Sequence, residues 1–194
     1  MESGSSALRL TALRLTTVLL IGTSLLALTP TPSAAQQGDS NEMARYRLAD
    51  SYMRTGSYER AIPILENLYR ENRDSPMYYQ KLKEAYASLK QYGQALELVQ
   101  GKIDREGPSP GRLSEKASLL AQQGREDAAL ETWNAAIELA PRSGQTYRSV
   151  YRSMIQQRRY EEAIEVLRRG REAVDQPNAF AMDLAYLYSL NGRH

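Results

Sequence analysis

The sequence predicts an all-α chain built as a stack of repeated helical units. Three observations lead there. Ala61, Ala95, Ala129 and Ala163 stand 34 residues apart, each inside a similar phrase: "SYERAIPIL", "YGQALELV", "GREDAALETW" and "RRYEEAIEVL". A fixed period of this size is the signature of a stacked repeat. Around each alanine the apolar residues recur at helical spacing, as with Ile62, Leu65 and Leu68 or Leu130, Trp133 and Ile137. No segment alternates apolar and polar residues convincingly enough to be a strand.

The spacing predicts helices over 43–55, 58–71, 77–90, 92–105, 112–123, 126–139, 145–158, 160–173 and 179–191. Alanine at the centre of every second helix lets a neighbour approach to about 8–10 Å. It does so without glycine's helix penalty of about 1 kcal/mol. Gly56, Gly124 and Gly192 stand where a first helix ends and the chain reverses, a left-handed position that glycine accepts freely. Pro76, Pro108, Pro141 and Pro177 stand near the repeat ends and are expected to stop the second helices. Pro63 falls inside a second helix and is expected to kink it. "EGPSPG" (106–111) is the clearest break, and it keeps the register.

The 34-residue pattern resembles the tetratricopeptide repeat, a pair of antiparallel helices. The residues that carry the resemblance are Leu48, Ala49, Tyr52, Gly56, Tyr58, Ala61 and Leu65 in the first copy. In the second they are Leu82, Tyr86, Tyr92, Ala95 and Val99, and in the third Ala117, Leu120, Gly124, Ala129, Trp133, Ala136 and Pro141. The fourth has Tyr147, Val150, Met154, Tyr160, Ala163, Leu167 and Gly170, and a fifth begins with Leu184, Ala185, Tyr188 and Gly192. The resemblance covers 42–194, as four full repeats and the first helix of a fifth. It implies a right-handed superhelical solenoid of helix pairs. Lys83 and Tyr151 stand where the family usually has a small residue, and Lys90 and Arg158 stand at the turn glycine. Repeats two and four are therefore expected to pack less closely, or with a shifted helix pair.

Residues 1–35 read as a secretory signal peptide and 36–41 as a short linker. Arg9 and Arg14 form a basic start, Leu15–Leu28 is mostly apolar and uncharged, and small residues follow at Ser33 and Ala35. The apolar run is shorter than the roughly 20 residues of a spanning helix. Cleavage between Ala35 and Gln36 is expected, a retained anchor being the alternative. The mature chain is expected to be exported, periplasmic or secreted, with no stable membrane span.

Composition narrows the chemistry. There is no cysteine, which excludes disulfides, thiolate metal sites and a cysteine nucleophile. The one histidine, His194, argues against a histidine acid–base or zinc site. Past residue 35 the chain carries 23 basic and 22 acidic side chains, so no overall charge points to nucleic acid. No phosphate loop, glycine fingerprint or metal-ligand cluster occurs. Catalytic, cofactor-binding and metal residues are all expected to be none. Glu161, Glu162 and Glu165 read as a solvated helix face. Thirteen tyrosines would suggest ligand stacking, but Tyr52, Tyr86 and Tyr188 share one repeat position and Tyr58, Tyr92 and Tyr160 another. Positions the repeat itself dictates are packing positions, each with a hydroxyl tip in water. Trp133 reads as core for the same reason.

In the resembled family the first helices line a concave groove. Carried onto this chain, the groove residues are Tyr46, Asp50 and Arg54, then Gln80 and Glu84, then Ser114, Ser118 and Gln122, then Arg148 and Arg152, then Met182 and Tyr186. Arg148 and Arg152, one turn apart, share a face. Such a pair suits a carboxylate or acidic peptide, against the plainer reading of a solvated basic face. The lysine and asparagine set by which some family members hold the acidic C-terminus of cytosolic chaperones is missing.

The final helix, with Phe180, Leu184, Ala185, Leu187 and Tyr188, is expected to lack a partner and to be covered by another surface. The expected function is thus an exported scaffold for protein or peptide binding in a bacterial cell envelope, with no catalysis. The alternatives are the N-terminal interaction domain of a larger envelope enzyme or secretion-system component, and a membrane-tethered assembly factor. Intact-mass spectrometry of protein from its native host is expected to place the mature N-terminus at or within a few residues of Gln36. A retained Met1–Ala35 segment on cytoplasmic protein would exclude export.

Overall fold

The computed structural model describes residues 34–176 and 178–192. Residues 1–33, which hold most of the expected signal peptide, lie outside the described residues, as do Pro177 and His194. The described chain forms α1 (Ala34–Arg54), α2 (Tyr58–Glu71), α3 (Pro76–Ser88), α4 (Tyr92–Glu106), α5 (Pro110–Gln122), α6 (Glu126–Leu139), α7 (Gly144–Gln156), α8 (Tyr160–Ala173) and α9 (Ala181–Leu190), with no strand among them. Each helix packs on the next, and α5 also packs directly on α7. The architecture is an all-α solenoid of antiparallel helix pairs. The helix at α1 starts earlier than expected, so residues 36–41, anticipated as a linker, are helical.

Ala61, Ala95, Ala129 and Ala163 are completely buried. So are Leu65, Val99 and Leu167 one turn further along the same helices, while Trp133 at the matching position is 1% exposed. Burying a side chain of this size contributes about 1.5–3 kcal/mol. The apolar interior falls into two clusters. One runs from Ala49 to Ile103 with Leu119, and the other from Ala117 to Leu187. Leu96 on α4 and Leu113 on α5 are partly buried against both.

Each pair reverses through the same turn. Ser57, Gln91, Arg125 and Arg159 each donate a backbone N–H to the carbonyl five residues earlier, on Tyr52, Tyr86, Leu120 and Met154, at 2.8–3.0 Å. This closure of a helix C-terminus places the preceding residue in the left-handed region. Gly56 and Gly124 have φ of 72° and 80°, and Lys90 and Arg158 occupy the same conformation at 57° and 58°. The two long side chains therefore adopt the turn that glycine adopts elsewhere, at about 1–2 kcal/mol each.

Proline does not act as expected at Pro76, which opens α3 at its first position behind the capping Ser75. Pro110 opens α5 behind Ser109 in the same way. A helix's first N–H groups have no partner within the helix, so proline loses nothing there. Pro108 and Pro141 do follow the ends of α4 and α6. Through exposed Pro63, α2 stays continuous. That site lies near the start of the helix and faces water, which satisfies the freed carbonyl.

The expected looser packing appears in repeat two only. The α3–α4 pairing is the least extensive of the four, while α7–α8 matches α1–α2. Tyr151 is buried rather than intrusive, because its hydroxyl donates to Asp183 on α9. The α9 expectation also needs correction. Phe180, Leu184 and Leu187 are buried against the preceding pair. Gly170 on α8 makes this possible, since a Cβ there would lie 2.6 Å from Tyr147 Cγ and 3.0 Å from Phe180 Cε2. Met182, Tyr186 and Leu190, one turn apart, form the exposed apolar stripe instead.

Four buried tyrosines tie helices together by donating to carboxylates. Tyr78 reaches Glu42 at 2.6 Å, Tyr79 reaches Glu115 at 2.6 Å, Tyr86 reaches Glu66 at 2.5 Å, and Tyr151 reaches Asp183. Burial first, and the bonded carboxylate second, push the Tyr78 phenol up to about 12 and move Tyr79, Tyr86 and Tyr151 in the same direction.

Two outcomes are expected. Ala129→Leu overpacks a helix crossing and should cost about 1–3 kcal/mol, whereas Glu131→Leu, at an exposed position, should stay within about 0.5 kcal/mol. Equal urea midpoints for the two variants would show the helix faces to be misassigned. The tyrosines set the alkaline limit of stability. Folding raises their pKa above the value of about 10 in an unfolded chain, so their contribution is complete below pH 10 and is lost as pH rises through the folded values. Urea midpoints should fall between pH 10 and 12, and Tyr78→Phe should remove tyrosinate absorbance that develops above pH 11. Loss of a step near pH 10 instead would contradict the burial of this phenol.

Candidate protein-binding groove

The first helices of the pairs, α1, α3, α5 and α7, present the residues expected to line the groove. On α1, Tyr46 is half-buried, with its ring 5.7 Å from that of Tyr78. Asp50 is also half-buried and is held by Arg54 at 3.3 Å and by Lys81 at 3.1 Å. It is therefore neutralised within the fold, and Arg54 projects beside it into solvent. Gln80 and Glu84 are exposed on α3.

A continuous depression runs from α3 across α5 to α7. Its α3–α5 part, about 130 Å³, is lined by Lys83, Glu84, Ser118, Gln122 and Gln156. Its α5–α7 part, about 240 Å³, is lined by Ser114, Glu115, Ser118, Ser149, Arg152 and Gln156. Of the expected residues, the fold brings Glu84, Ser114, Ser118, Gln122 and Arg152 together here. Tyr46, Asp50, Arg54, Gln80 and Arg148 line neither part. Met182 and Tyr186 are exposed further along, on α9.

The two serines differ from expectation. Ser114 and Ser118 are buried, not presented. The Ser114 hydroxyl donates to Pro110 O at 2.7 Å, and Ser118 Oγ accepts from Gln157 Nε2 at 2.8 Å. The direct packing of α5 on α7 requires small side chains there, and serine is small. A buried relay fixes the contact: Trp133 Nε1 donates to Ser153 Oγ at 2.9 Å, and Ser153 donates to Ser114 O at 2.8 Å. Three helices share this chain of bonds, which leaves no buried polar group of the trio unpaired.

The two arginines are not an equivalent pair. Arg148 Nε lies 3.7 Å from Asp183 Oδ2, and its guanidinium sits 5.2 Å over the Phe180 ring. Arg152 is exposed and points into the α5–α7 depression, beside the Tyr151 hydroxyl. An ion pair at this distance between half-exposed groups is worth at most about 1 kcal/mol, so a ligand carboxylate can compete with Asp183 for Arg148.

Sequence reasoning missed Lys83, Glu115, Gln156 and Asp183. Lys83 was taken for a packing departure, but its ammonium lies 3.1 Å from Glu115 across the α3–α5 boundary. Glu115 precedes Ser118 by three residues, so it shares that helix face. That spacing was the available signal. Asp183 carried none, since its role depends on how α9 docks. Among the described residues there is no group of three histidine, cysteine or carboxylate side chains able to hold a metal ion. No described helix is long and apolar enough to cross a membrane.

Comparison with known proteins agrees with the repeat. A model of the tetratricopeptide-repeat family matches residues 34–76 and 46–109. The small glutamine-rich tetratricopeptide repeat-containing protein 2 of Mycosarcoma maydis is 32% identical over 91 residues, covering 47% of this chain. The chain spans only 26% of that relative's length. Among solved structures, a thermophilic tetratricopeptide-repeat protein of Thermus thermophilus is 23% identical, with 78% of this chain and 84% of that one covered and a TM-score of 0.47. The 41-end form of MamA from Desulfovibrio magneticus RS-1 is 17% identical over 79% of this chain and 86% of its own, also with a TM-score of 0.47. The family match covers α1–α4, and the alanine period and the repeated left-handed turns carry the same pattern on through α8.

Proposed function

We propose that the chain is an exported scaffold of a bacterial cell envelope that binds a protein or peptide partner along its first helices and carries out no catalysis. Similarity of α1–α4 to a family of protein-interaction scaffolds supports the binding role. The observation that carries the placement is the depression across α3, α5 and α7. It is open to solvent, its floor is rigidified by the Trp133–Ser153–Ser114 relay, and its rim offers groups of both signs in Glu84, Lys83 and Arg152. A preorganised floor lowers the ordering cost of binding. Export rests on the sequence of residues 1–35.

An acidic segment is the partner chemistry that Arg152 favours, with Arg148 recruited from Asp183. A pull-down from envelope extract tests this. Arg148→Ala combined with Arg152→Ala should lose the partner, and binding to the unaltered chain should weaken as salt rises. Arg168→Ala combined with Arg169→Ala, both exposed on α8, should retain it. Loss in the α8 variant with retention in the α7 variant would move the binding face away from the first helices.

A further inference from the structure

A cavity larger than either part of the groove lies outside it. It lies on the other side of α3, between α2 and α4, and measures about 480 Å³. Leu82 and Tyr86 of α3 form its floor, while neighbouring Lys83 and Glu84 face the groove. Gly101 on α4 keeps it open, since a Cβ there would meet only Arg105 Nη1, at 3.9 Å.

The cleft is electrically two-ended. Its α2 and α4 walls are second helices of successive pairs and run in the same direction. Arg70, Arg73 and Arg105 gather toward their C-terminal ends; Glu97 lies in the N-terminal half of α4, and Glu66, one turn before Arg70 on α2, accepts from Tyr86 OH at 2.5 Å. Arg105 is preset: it donates to Tyr69 OH at 2.7 Å and to Gly101 O at 2.9 Å. Arg70 donates to Asn67 at 2.9 Å. Arg73 makes no hydrogen bond or ion pair among the described residues. Two nearby carboxylates are engaged elsewhere, Glu71 with Arg45 at 2.5 Å and Asp104 with Gln100 at 2.7 Å.

The repeat does not dictate these arginines. One period on from Arg70, Arg73 and Arg105 stand Asp104, Gly107 and Leu139. The next cleft along, between α4 and α6, accordingly has no such cluster, and Lys116 occupies the place of Leu82 there. Three guanidinium groups lining one cleft, that of Arg105 fixed on the Tyr69 hydroxyl, over an apolar floor, are suited to a carboxylate. Glu66 and Glu97 are suited to a cation. Eight residues of helix separate Glu97 from Arg105, about 12 Å at 1.5 Å per residue. That span is about four residues of extended chain at roughly 3.3 Å each.

We propose that the α2–α4 cleft is a second peptide site, separate from the groove, for a short segment that carries a basic side chain, then apolar residues, then a carboxylate. The carboxylate sits among Arg70, Arg73 and Arg105, the apolar side chains lie on Leu82 and Leu98, and the cation faces Glu66 and Glu97.

The test is amide chemical-shift mapping on the isotopically labelled full chain, with two probes: acetyl-Lys-Leu-Leu-Asp-amide and acetyl-Lys-Leu-Leu-Leu free acid. Shifts at Leu82, Leu98 and Gly101 with either probe are the expected result. A response to the first alone identifies an internal acidic residue, and to the second alone a chain terminus. The reversed acetyl-Asp-Leu-Leu-Lys-amide should bind at least fivefold more weakly, and Arg73→Glu should cost at least tenfold. Gly101→Leu should abolish binding by filling the cleft. If Gly101→Leu disturbs the circular dichroism, the exposed Arg73→Glu variant still decides. Shifts confined to α5 and α7, no shifts at all, or an unaffected Arg73→Glu variant would overturn the proposal while leaving the groove reading intact.

Discussion

The fold depends on how closely two helices can cross. At Ala61, Ala95, Ala129 and Ala163 the side chain is a single methyl group with no exposed surface. The separation set there determines whether the larger residues one turn away reach their neighbours. Leu65, Val99, Trp133 and Leu167 occupy that second position and differ greatly in size, yet each is buried. The close crossing is constant, and the volume beside it is adjusted copy by copy. Tyr69 and Tyr79 packing at 6.1 Å, or Phe180 against Tyr147 across Gly170 at 6.2 Å, are such local adjustments.

Polar groups then give the surfaces their character. Several tyrosines lie inside, Tyr151 among them at a position that is usually small in the repeat, and a buried phenol needs a partner. Here the partner is repeatedly a carboxylate on an adjacent helix, as with Glu42, Glu66, Glu115 and Asp183. Packing thus decides which acids remain available. Glu115 and Asp183 serve the interior and temper nearby Lys83 and Arg148, whereas Glu84 and Arg152 stay open.

The same distinction explains what the sequence made legible. Period, helix phase and turn position depend on local residue types, so α2, α6 and α8 were read to the residue. At Lys90 and Arg158 the register marked the turn position but the residue types read as departures, and the chain keeps the left-handed turn there all the same. Helix starts were less legible where proline was involved. Pro76 stops a helix or opens one equally well, and only Ser75 beside it favours the second. In the groove, the family pattern put Glu84, Ser114, Ser118, Gln122 and Arg152 where the depression lies, but it carried no sign that Ser114 and Ser118 are buried, which follows from the direct packing of α5 on α7. Arg148 was legible as a position and not as a charge, because its counter-ion arrives from α9. The arginine-lined cleft was invisible for a related reason: its three members come from α2, the turn that follows it, and α4 a full repeat on.

The division of the interior into two clusters bears on mechanical behaviour. Between α4 and α5 the shared apolar material is Leu96 and Leu113, neither fully buried, and buried Leu119 of α5, beside the Gly107–Ser109 linker. In a linear array stability is a sum of unit and boundary terms, and at this boundary few apolar side chains join the two clusters. A pulling force, or a slow excursion from the native state, will therefore open the chain at that joint first. The half containing the Trp133 relay will stay assembled while α1–α4 loosen. Amides of α2 and α4 should then exchange with solvent hydrogen sooner than those of α6 and α8.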